Sequence, residues 1–368
     1  MSKMSNEEFF KQQRANSAMK TEVVSAYFEA WSNVMTSAQN DVVQYFDLLC
    51  GPGRYEDGTP STPLKIVEIA ARHPILRSKL RIVFSDQDEE MLKRLKKELH
   101  ELPATHDLRY KPLVMKGDAV NVDSRILSAS QRHPTFSFVD PFGYRALSRE
   151  VISGLLKGWG NDVVLFFNYS DVNRAISNSV MTGNMTDLFG QERSLNLRGE
   201  LDGLLPHQRK QIIVDGMVDA LTERVKALGL PFGFTVAGTQ RESHHLIFLS
   251  KHIRGYEIMR DVMLKRNNRT GEDLRSLGYS DINEDTPFLF EFSQQLSNLP
   301  SRLLEKYSGG VWTRDELYEA DLVGTVYKKK DYNAALKALE EADQLTIVAS
   351  KPKRRKGHYK DVTFRIAG

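Results

Sequence analysis

Apolar and polar residues alternate along this chain with two different periods. Between residues 20 and 40, Val23, Val24, Tyr27, Phe28, Trp31 and Val34 recur at helical spacing, which predicts an amphipathic helix. From residue 41 the pattern changes to short apolar runs separated by helical stretches. QYFDLLC runs into GPGRYEDGTPSTP, a turn crowded with Gly and Pro, after which LKIVEIAARHP resumes the helical period. LRIVFSDQD precedes the charged helix EEMLKRLKKELHEL; YKPLVMKGDAVN, the helix SRILSASQRH, TFSFVDPFGY, a helix through ISGLLKGW and DVVLFFN follow. Apolar strands alternating with helices predict βαβ units and a mainly parallel sheet buried on both faces.

Apolar strands vanish over residues 169–232, where Asn-rich and helical segments such as RKQIIVDGMVDALTERVKAL predict a helical insertion or lid. FGFTVAG and HHLIFLSKH predict a hairpin at the sheet edge, and GYEIMRDVMLKRNN a closing helix. The domains expected are an N-terminal helical segment (1–40), a Rossmann-like α/β domain (41–266), a polar linker (267–287) and a C-terminal unit (288–368). In that last unit LPSRLLEKYSGG, WTRDELYEADLVG with Thr313 as N-cap, and KKDYNAALKALEEAD read as three helices. Leu345 to Ala349 and Asp361 to Ile366 read as paired strands, so KPKRRKGHYK becomes the exposed wing of a winged helix-turn-helix.

Composition narrows the function classes. In 368 residues there are 51 Lys and Arg against 48 Asp and Glu, a net charge of +3 that does not imply nucleic-acid binding by itself. Its distribution is more telling: from Pro300 onward 14 basic residues face 10 acidic ones. The single Cys50 rules out an intrachain disulfide and a multi-cysteine metal site from this chain alone. No apolar run reaches the ~18 residues that span a bilayer and the start lacks a secretory pattern, so a cytoplasmic protein is expected.

Candidate chemistry gathers at the ends of the predicted strands. Asp47 closes the first, followed by Cys50, Gly51, Pro52 and Gly53, small residues that let a ligand approach the backbone while the carboxylate receives a cationic amine. Asp86, with Asp88 as an alternative, ends the second, where a carboxylate accepts from both hydroxyls of a ribose. Asp118 follows the third, within reach of an adenine amine. Asp140, Pro141, Phe142 and Gly143 follow the fourth. They are similar to the Asp-Pro-Pro-Tyr motif of methyltransferases acting on the exocyclic amine of adenine, in which carboxylate and carbonyl accept from the amine and an aromatic ring stacks on the base. Phe142 stands in place of the second Pro, and Gly143 in place of the aromatic residue. Asn168, Tyr169, Arg241 and His244 are further candidates near the same edge. Adjacent His244 and His245 point to opposite faces of a strand and cannot share a metal, so no metal site is expected. No Walker A pattern or nucleophile elbow occurs.

Together YFDLLCGPGRYEDGTPSTPL, FSDQD, FVDPFG, HHLIFLSKHIRGYEIMRDVM and the closing WTRDELYEADL with its basic wing resemble the three-Cys-motif partner (TcmP) family, from about Lys20 to Ile366. The resemblance implies a Rossmann-like methyltransferase sheet, S-adenosylmethionine as cofactor, and a bacterial or phage-related system with a companion protein that carries three cysteines in a radical-enzyme-like motif. It also implies a nucleic-acid target. Carried over, Asp47 and Gly51 to Gly53 form the cofactor loop, Asp86 the ribose carboxylate, and Asp140 to Gly143 the reactive-site motif; Cys50 departs from the Ala expected in the loop. Lys351, Lys353, Arg354, Arg355, Lys356 and Lys360 in the wing, with Lys328, Lys329 and Lys330 at the start of the third helix, are the expected phosphate contacts, to DNA sooner than RNA. The departure from Asp-Pro-Pro-Tyr leaves a second class open: an adaptor or sensor without catalysis that brings a partner enzyme to nucleic acid.

Overall fold

The computed structural model of the chain describes residues 6–38, 40–117, 122, 124–141, 148–177, 182–235, 242–267, 278–279, 288–349 and 357–368. It divides into two compact units, residues 1–267 with 277–283, and residues 268–276 with 284–368.

In the first unit α1 (Asn6–Ser37) precedes β1 (Val43–Leu48), α2 (Thr62–Arg72), α3 (Leu76–Lys79) and β2 (Leu80–Asp86). There follow α4 (Glu89–Glu101), α5 (Pro103–Asp107), β3 (Leu113–Lys116), α6 (Ser124–Arg132), β4 (Thr135–Val139), α7 (Arg149–Leu156) and β5 (Asp162–Asn168). The helices α8 (Tyr169–Ser177), α9 (Thr182–Phe189), α10 (Gln191–Glu200) and α11 (Pro206–Thr222) make the insertion, before β6 (Leu228–Thr235), β7 (Glu242–Ser250), α12 (Ile253–Leu264) and β8 (Gly278–Tyr279). The sheet order is β3-β2-β1-β4-β5-β7-β6-β8. All pairings are parallel except those of β7, which runs antiparallel to β5 and β6. The chain leaves β1 toward β3 on one side and returns to β4 on the other, so the topological switch point, where such sheets bind ligands, lies at the carboxyl ends of β1 and β4.

Helix α1 begins seventeen residues before Val23, the first residue of the apolar stripe that announced it. Val23, Val24, Tyr27, Phe28 and Trp31 are all buried; the Tyr27, Phe28 and Trp31 rings pack on Phe136 of β4, and Phe28 also meets Tyr45 of β1 edge-on. The Tyr27 hydroxyl donates to buried Asp162 and the Trp31 indole to the Gly160 carbonyl, fixing the helix on the sheet at two polar points.

Two boundaries differ from the sequence reading. Strand β6 starts at Leu228, inside the stretch assigned to the insertion, because Gly229 and Pro231 interrupt the apolar pattern. Pro231 is tolerated there since β8 pairs with β6 only at Gly233 and Phe234, leaving its missing donor unrequired. A Cβ on Gly229 would lie 2.4 Å from Val218 of α11, so only glycine lets that helix approach. The segment read as a linker, 267–287, contributes β8, which makes the β6–β7 hairpin internal to the sheet.

The second unit holds α13 (Phe288–Tyr307), β9 (Val311–Thr313), α14 (Arg314–Asp321), α15 (Lys329–Glu341), β10 (Leu345–Ala349) and β11 (Thr363–Ile366), with antiparallel sheet order β10-β11-β9. This is a winged helix. Thr313 caps α14 in a reciprocal box with Glu316. Buried Asp321 collects hydrogen bonds from Arg302, Lys306, Tyr307 and Tyr332, tying α13, α14 and α15 together.

Candidate functional site

Asp47, Asp86 and Asp140 meet at the switch point. Leu48 stands beside Ser85 of β2 and Val139 of β4 in register, and the Asp140 N–H donates to the Leu48 carbonyl at 3.2 Å. Leu49 and Cys50 both donate their backbone N–H to the Ser85 carbonyl, at 2.7 and 3.0 Å, which curls the loop back over the end of β2. Asp86 completes the turn: its carboxylate accepts from the Gly51 N–H at 2.9 Å and the Asp88 N–H at 3.0 Å. Asp88 itself caps α4 through Glu90 and Met91, so it serves the helix and Asp86 occupies the strand-end position.

The glycine loop is built for close approach. Gly51 has φ +68° and a Cβ placed there meets nothing within 4 Å, whereas Gly53 has φ +88° and its Cβ would lie 2.9 Å from Leu95. One glycine faces open space and the other packs on α4. Leu49 adopts φ +71°, a conformation that disfavours any side chain beyond glycine. It is buried, and apolar packing holds it there. The Cys50 thiol, also buried, is pushed well above its usual range by burial, then by Asp47 and Asp86, so it remains a protonated wall of the loop.

Beneath the loop, Asp47 is 1 % exposed. One of its oxygens accepts from the Tyr45 hydroxyl at 3.1 Å and the other, Oδ1, has no partner. Burial, with Asp140 adding to it, raises its pKa well above the carboxylate range, against the pull of Tyr45 and Lys20. A buried carboxyl with an unused acceptor is costly unless something charged or hydrogen-bonding completes it.

Sequence reasoning missed the residue that pairs with Asp140. Lys20, on α1, forms an ion pair with an oxygen of Asp140, the two side chains being 11 % and 24 % exposed. Its ammonium also lies 4.6 Å from the centroid of the Phe166 ring. Burial would lower the lysine, but Asp140, then Tyr55 and Asp47, outweigh it and raise the ammonium above its ordinary value. Tyr55, from the glycine-rich turn, donates its hydroxyl to the Ser17 carbonyl at 3.1 Å and meets the Thr21 hydroxyl at 2.9 Å, so α1 is tied to the loop on this side as well. A lysine N-terminal to an apolar helical stripe looks like an ordinary solvated charge, and no local pattern marks it as a site residue.

Of three further candidates, His244 lies near this pair. His244 stacks on Phe166, centroids 5.0 Å apart and planes 4° apart, and burial followed by Lys20 lowers it to about 4, so it is neutral at pH 7. His245 instead packs near Phe167 and Tyr169, on the opposite face. Asn168 accepts from the Asp171 N–H at 3.1 Å and so starts α8, and Tyr169 is buried as the first residue of that helix. Pro141 directly follows Asp140. Asp118, Phe142, Gly143 and Arg241 lie outside the described residues.

In the winged helix, Lys328 precedes α15 and its N–H donates to Asp331 at 2.7 Å. Lys329 is paired with Asp315 at 3.5 Å and lies over the Tyr318 ring, while Lys330 is exposed. Lys360 is exposed beyond buried Tyr359, whose hydroxyl donates to Glu340 at 2.6 Å and anchors one end of the wing on α15. Lys351, Lys353, Arg354, Arg355 and Lys356 lie outside the described residues.

Residues 278–352 match the family model of the GMT-like wHTH domain. No curated protein matches the sequence. Among solved structures, similarity is found to the methyltransferase domain of bacterial CtHen1-C (11 % identity, 63 % of this chain and 98 % of that one, TM-score 0.34). It is found also to the O-methyltransferase TomG from Streptomyces achromogenes, solved with SAM (14 %, 68 % and 92 %, 0.37). The glycopeptide N-methyltransferase MtfA, complexed with sinefungin, is similar at 14 % identity, 61 % and 86 % coverage and TM-score 0.31. The strand order and the single antiparallel β7 define a Rossmann-like methyltransferase sheet, and the C-terminal unit is a winged helix. Among the described residues no helix is long and apolar enough to cross a membrane.

Proposed function

We propose that the chain is an S-adenosylmethionine-dependent methyltransferase acting on nucleic acid, with the exocyclic amine of a base as methyl acceptor. One observation carries the cofactor assignment: the unpartnered Oδ1 of buried Asp47 beneath a loop whose Gly51 faces open space. A cationic amino group of the methionine portion would complete Asp47, and the ribose hydroxyls would reach the remaining lone pairs of Asp86. The cofactor supplies an electrophilic sulfonium methyl. The chain supplies orientation, which is the main demand when a neutral nitrogen attacks such a carbon.

Asp140 is the acceptor for the target amine, through the oxygen that Lys20 leaves available or after Lys20 yields its place. Lys20 holds one Asp140 oxygen in the ion pair. Phe142, at the position of the motif's second Pro, is the aromatic ring that the motif still offers for stacking, since Gly143 takes the usual aromatic position. The winged helix supplies phosphate contacts through Lys330, Lys360 and the basic run between Lys351 and Lys356, to DNA sooner than RNA, and a three-Cys-motif companion is the partner that the family resemblance suggests.

The test is transfer of label from methyl-labelled S-adenosylmethionine to cellular DNA and RNA, followed by nucleoside digestion and mass spectrometry. An N-methylated base that Asp140→Ala abolishes, with cofactor binding retained, is the expected result. Label in a ribose or a protein, or full transfer by Asp140→Ala, would overturn the acceptor assignment. Binding of the cofactor without transfer to any acceptor would favour the adaptor reading, which the altered Asp-Pro-Phe-Gly motif supports.

A further inference from the structure

The residues around Lys20 form an aromatic row at the carboxyl ends of β5, β6 and β7. Phe166 stands two residues before the end of β5 and alternates with Asp162 onto the face that α1 covers through Tyr27. The β5–β7 register sets His244 beside Asn168, which makes it the diagonal neighbour of Phe166 on that face, and the two rings lie parallel. Phe234 of β6, directly across from His244, meets Phe166 edge-on with centroids 5.7 Å apart. Phe234 is fully buried, whereas Phe166 and His244 are half-buried, so the row is closed at one end and reaches solvent at the other.

On this row the Lys20 ammonium makes two contacts at once: it donates to an Asp140 oxygen and lies over the Phe166 ring. These are the contacts of an exocyclic amine on a stacked base, a donor nitrogen on a carboxylate and an aromatic face beneath it. An incoming base can therefore replace both without leaving Asp140 bare. The backbone of α1 stays where it is during such an exchange, because it is pinned on either side of Lys20. The Ser17 carbonyl accepts from Tyr55 at 3.1 Å, the Thr21 hydroxyl meets those of Tyr55 and Thr62 at 2.9 and 3.1 Å, and the Asn16 amide donates to the Thr235 carbonyl at 3.4 Å. Only the lysine's flexible four-carbon stem has to swing, and its strongly hydrated ammonium regains water outside.

We propose, resting on the acceptor class given above, that Phe166 backed by His244 is the platform on which the acceptor base lies, and that Lys20 holds the place of its exocyclic amine until the base arrives. Lys20 is then an internal competitor. Removing it strengthens acceptor binding, whereas removing a residue that merely positions Asp140 weakens it. A place held nine-tenths of the time by the lysine lowers apparent affinity ~10-fold.

Calorimetry on the full chain tests this with deoxyadenosine, deoxycytidine, deoxyguanosine and thymidine, the last of which carries no exocyclic amine, and with n-butylamine. S-adenosylhomocysteine in excess occupies any adenine pocket at the switch point. At least one amine-bearing nucleoside should bind Lys20→Ala ~10-fold more tightly than wild type. Lys20→Arg, which keeps a cation in place, should show no gain, and adding Phe166→Leu to Lys20→Ala should remove it. In the wild type, which needs no variant to fold, that nucleoside should speed acetylation of Lys20 by acetic anhydride, read by mass spectrometry, because the ammonium is displaced into solvent. Equal or weaker nucleoside binding to Lys20→Ala, an equal gain for thymidine, or protection of Lys20 from acetylation overturns the proposal. So does a gain for n-butylamine with none for the nucleosides, which would assign the place to an alkylamine acceptor. If S-adenosylhomocysteine itself fails to bind, the cofactor reading falls, while the deoxycytidine, deoxyguanosine and thymidine arms still report on Lys20 and Phe166.

Discussion

Replacing Lys20 by Met removes the ammonium while nearly preserving the volume of the side chain. With 11 % and 24 % of the two side chains exposed, the Lys20–Asp140 pair is largely desolvated, and stripping one partner from a buried pair costs ~3–5 kcal/mol. Partial exposure of Asp140 reduces this to about 2–3 kcal/mol, and loss of the contact with Phe166 adds ~0.5–1 kcal/mol. Asp140→Asn should cost about 2 kcal/mol by leaving Lys20 unpaired. The double variant should lose only ~3 kcal/mol, giving a coupling energy of about 2 kcal/mol. Urea unfolding of the four proteins, followed by tryptophan fluorescence, measures each quantity; Trp31 on α1 reports on the first unit. The pair is raised on the lysine side, so the stability it contributes is present at neutral pH and is lost as pH rises through the elevated value. A coupling energy below 0.5 kcal/mol, or one that survives at pH values where lysine is neutral, would refute the view that α1 holds the Asp140 carboxylate through Lys20.

Other consequences follow from single contacts. Asp47→Asn should weaken S-adenosylmethionine binding ~10–100-fold, the worth of one charge-assisted hydrogen bond. Since Asp47 is raised when unpartnered and must ionise to receive an ammonium, affinity for the cofactor should increase with pH through that raised value. Calorimetry in buffers of different ionisation enthalpy should then register proton release. Leu49→Gly relieves a left-handed backbone worth ~1–2 kcal/mol but deletes a buried leucine worth ~2–5 kcal/mol, so net destabilisation of about 1–3 kcal/mol is expected in urea. In the winged helix, burial opposes ionisation of Asp321 but Arg302, Tyr332 and Lys306 prevail and lower it. Its contribution is therefore present above the ordinary carboxylate range and lost as pH falls through the depressed value, which circular dichroism of the full chain should show as an acid transition absent in Asp321→Asn.

The strand-end carboxylates were legible because period and order along the chain fix them: Asp47 lies next to the end of β1, Asp86 ends β2 and Asp140 follows β4, and parallel strands align their carboxyl ends whatever the helices between them do. The three helices and hairpin of the C-terminal unit were legible for a similar local reason, with Thr313 and Glu316 spelling a helix start. Lys20 was not, since 120 residues separate it from Asp140 and only the seating of α1 across β1 and β4 brings them together. Strand β8 is two residues long, too short for a period to register, and β6 was shortened because Pro231 reads as a breaker until its unpaired edge is seen.

Titrating S-adenosylmethionine into the full chain, beside Gly51→Val, addresses the central claim directly. A Cβ at Gly51 meets nothing within 4 Å, although φ +68° strains any side chain there, so cooperative unfolding of the variant is the control. Saturable binding of one molecule per wild-type chain, abolished in a Gly51→Val protein that still unfolds cooperatively, is the expected result. Absence of binding to the wild type, or equal binding to both, would contradict a cofactor cradle at the carboxyl ends of β1 and β4.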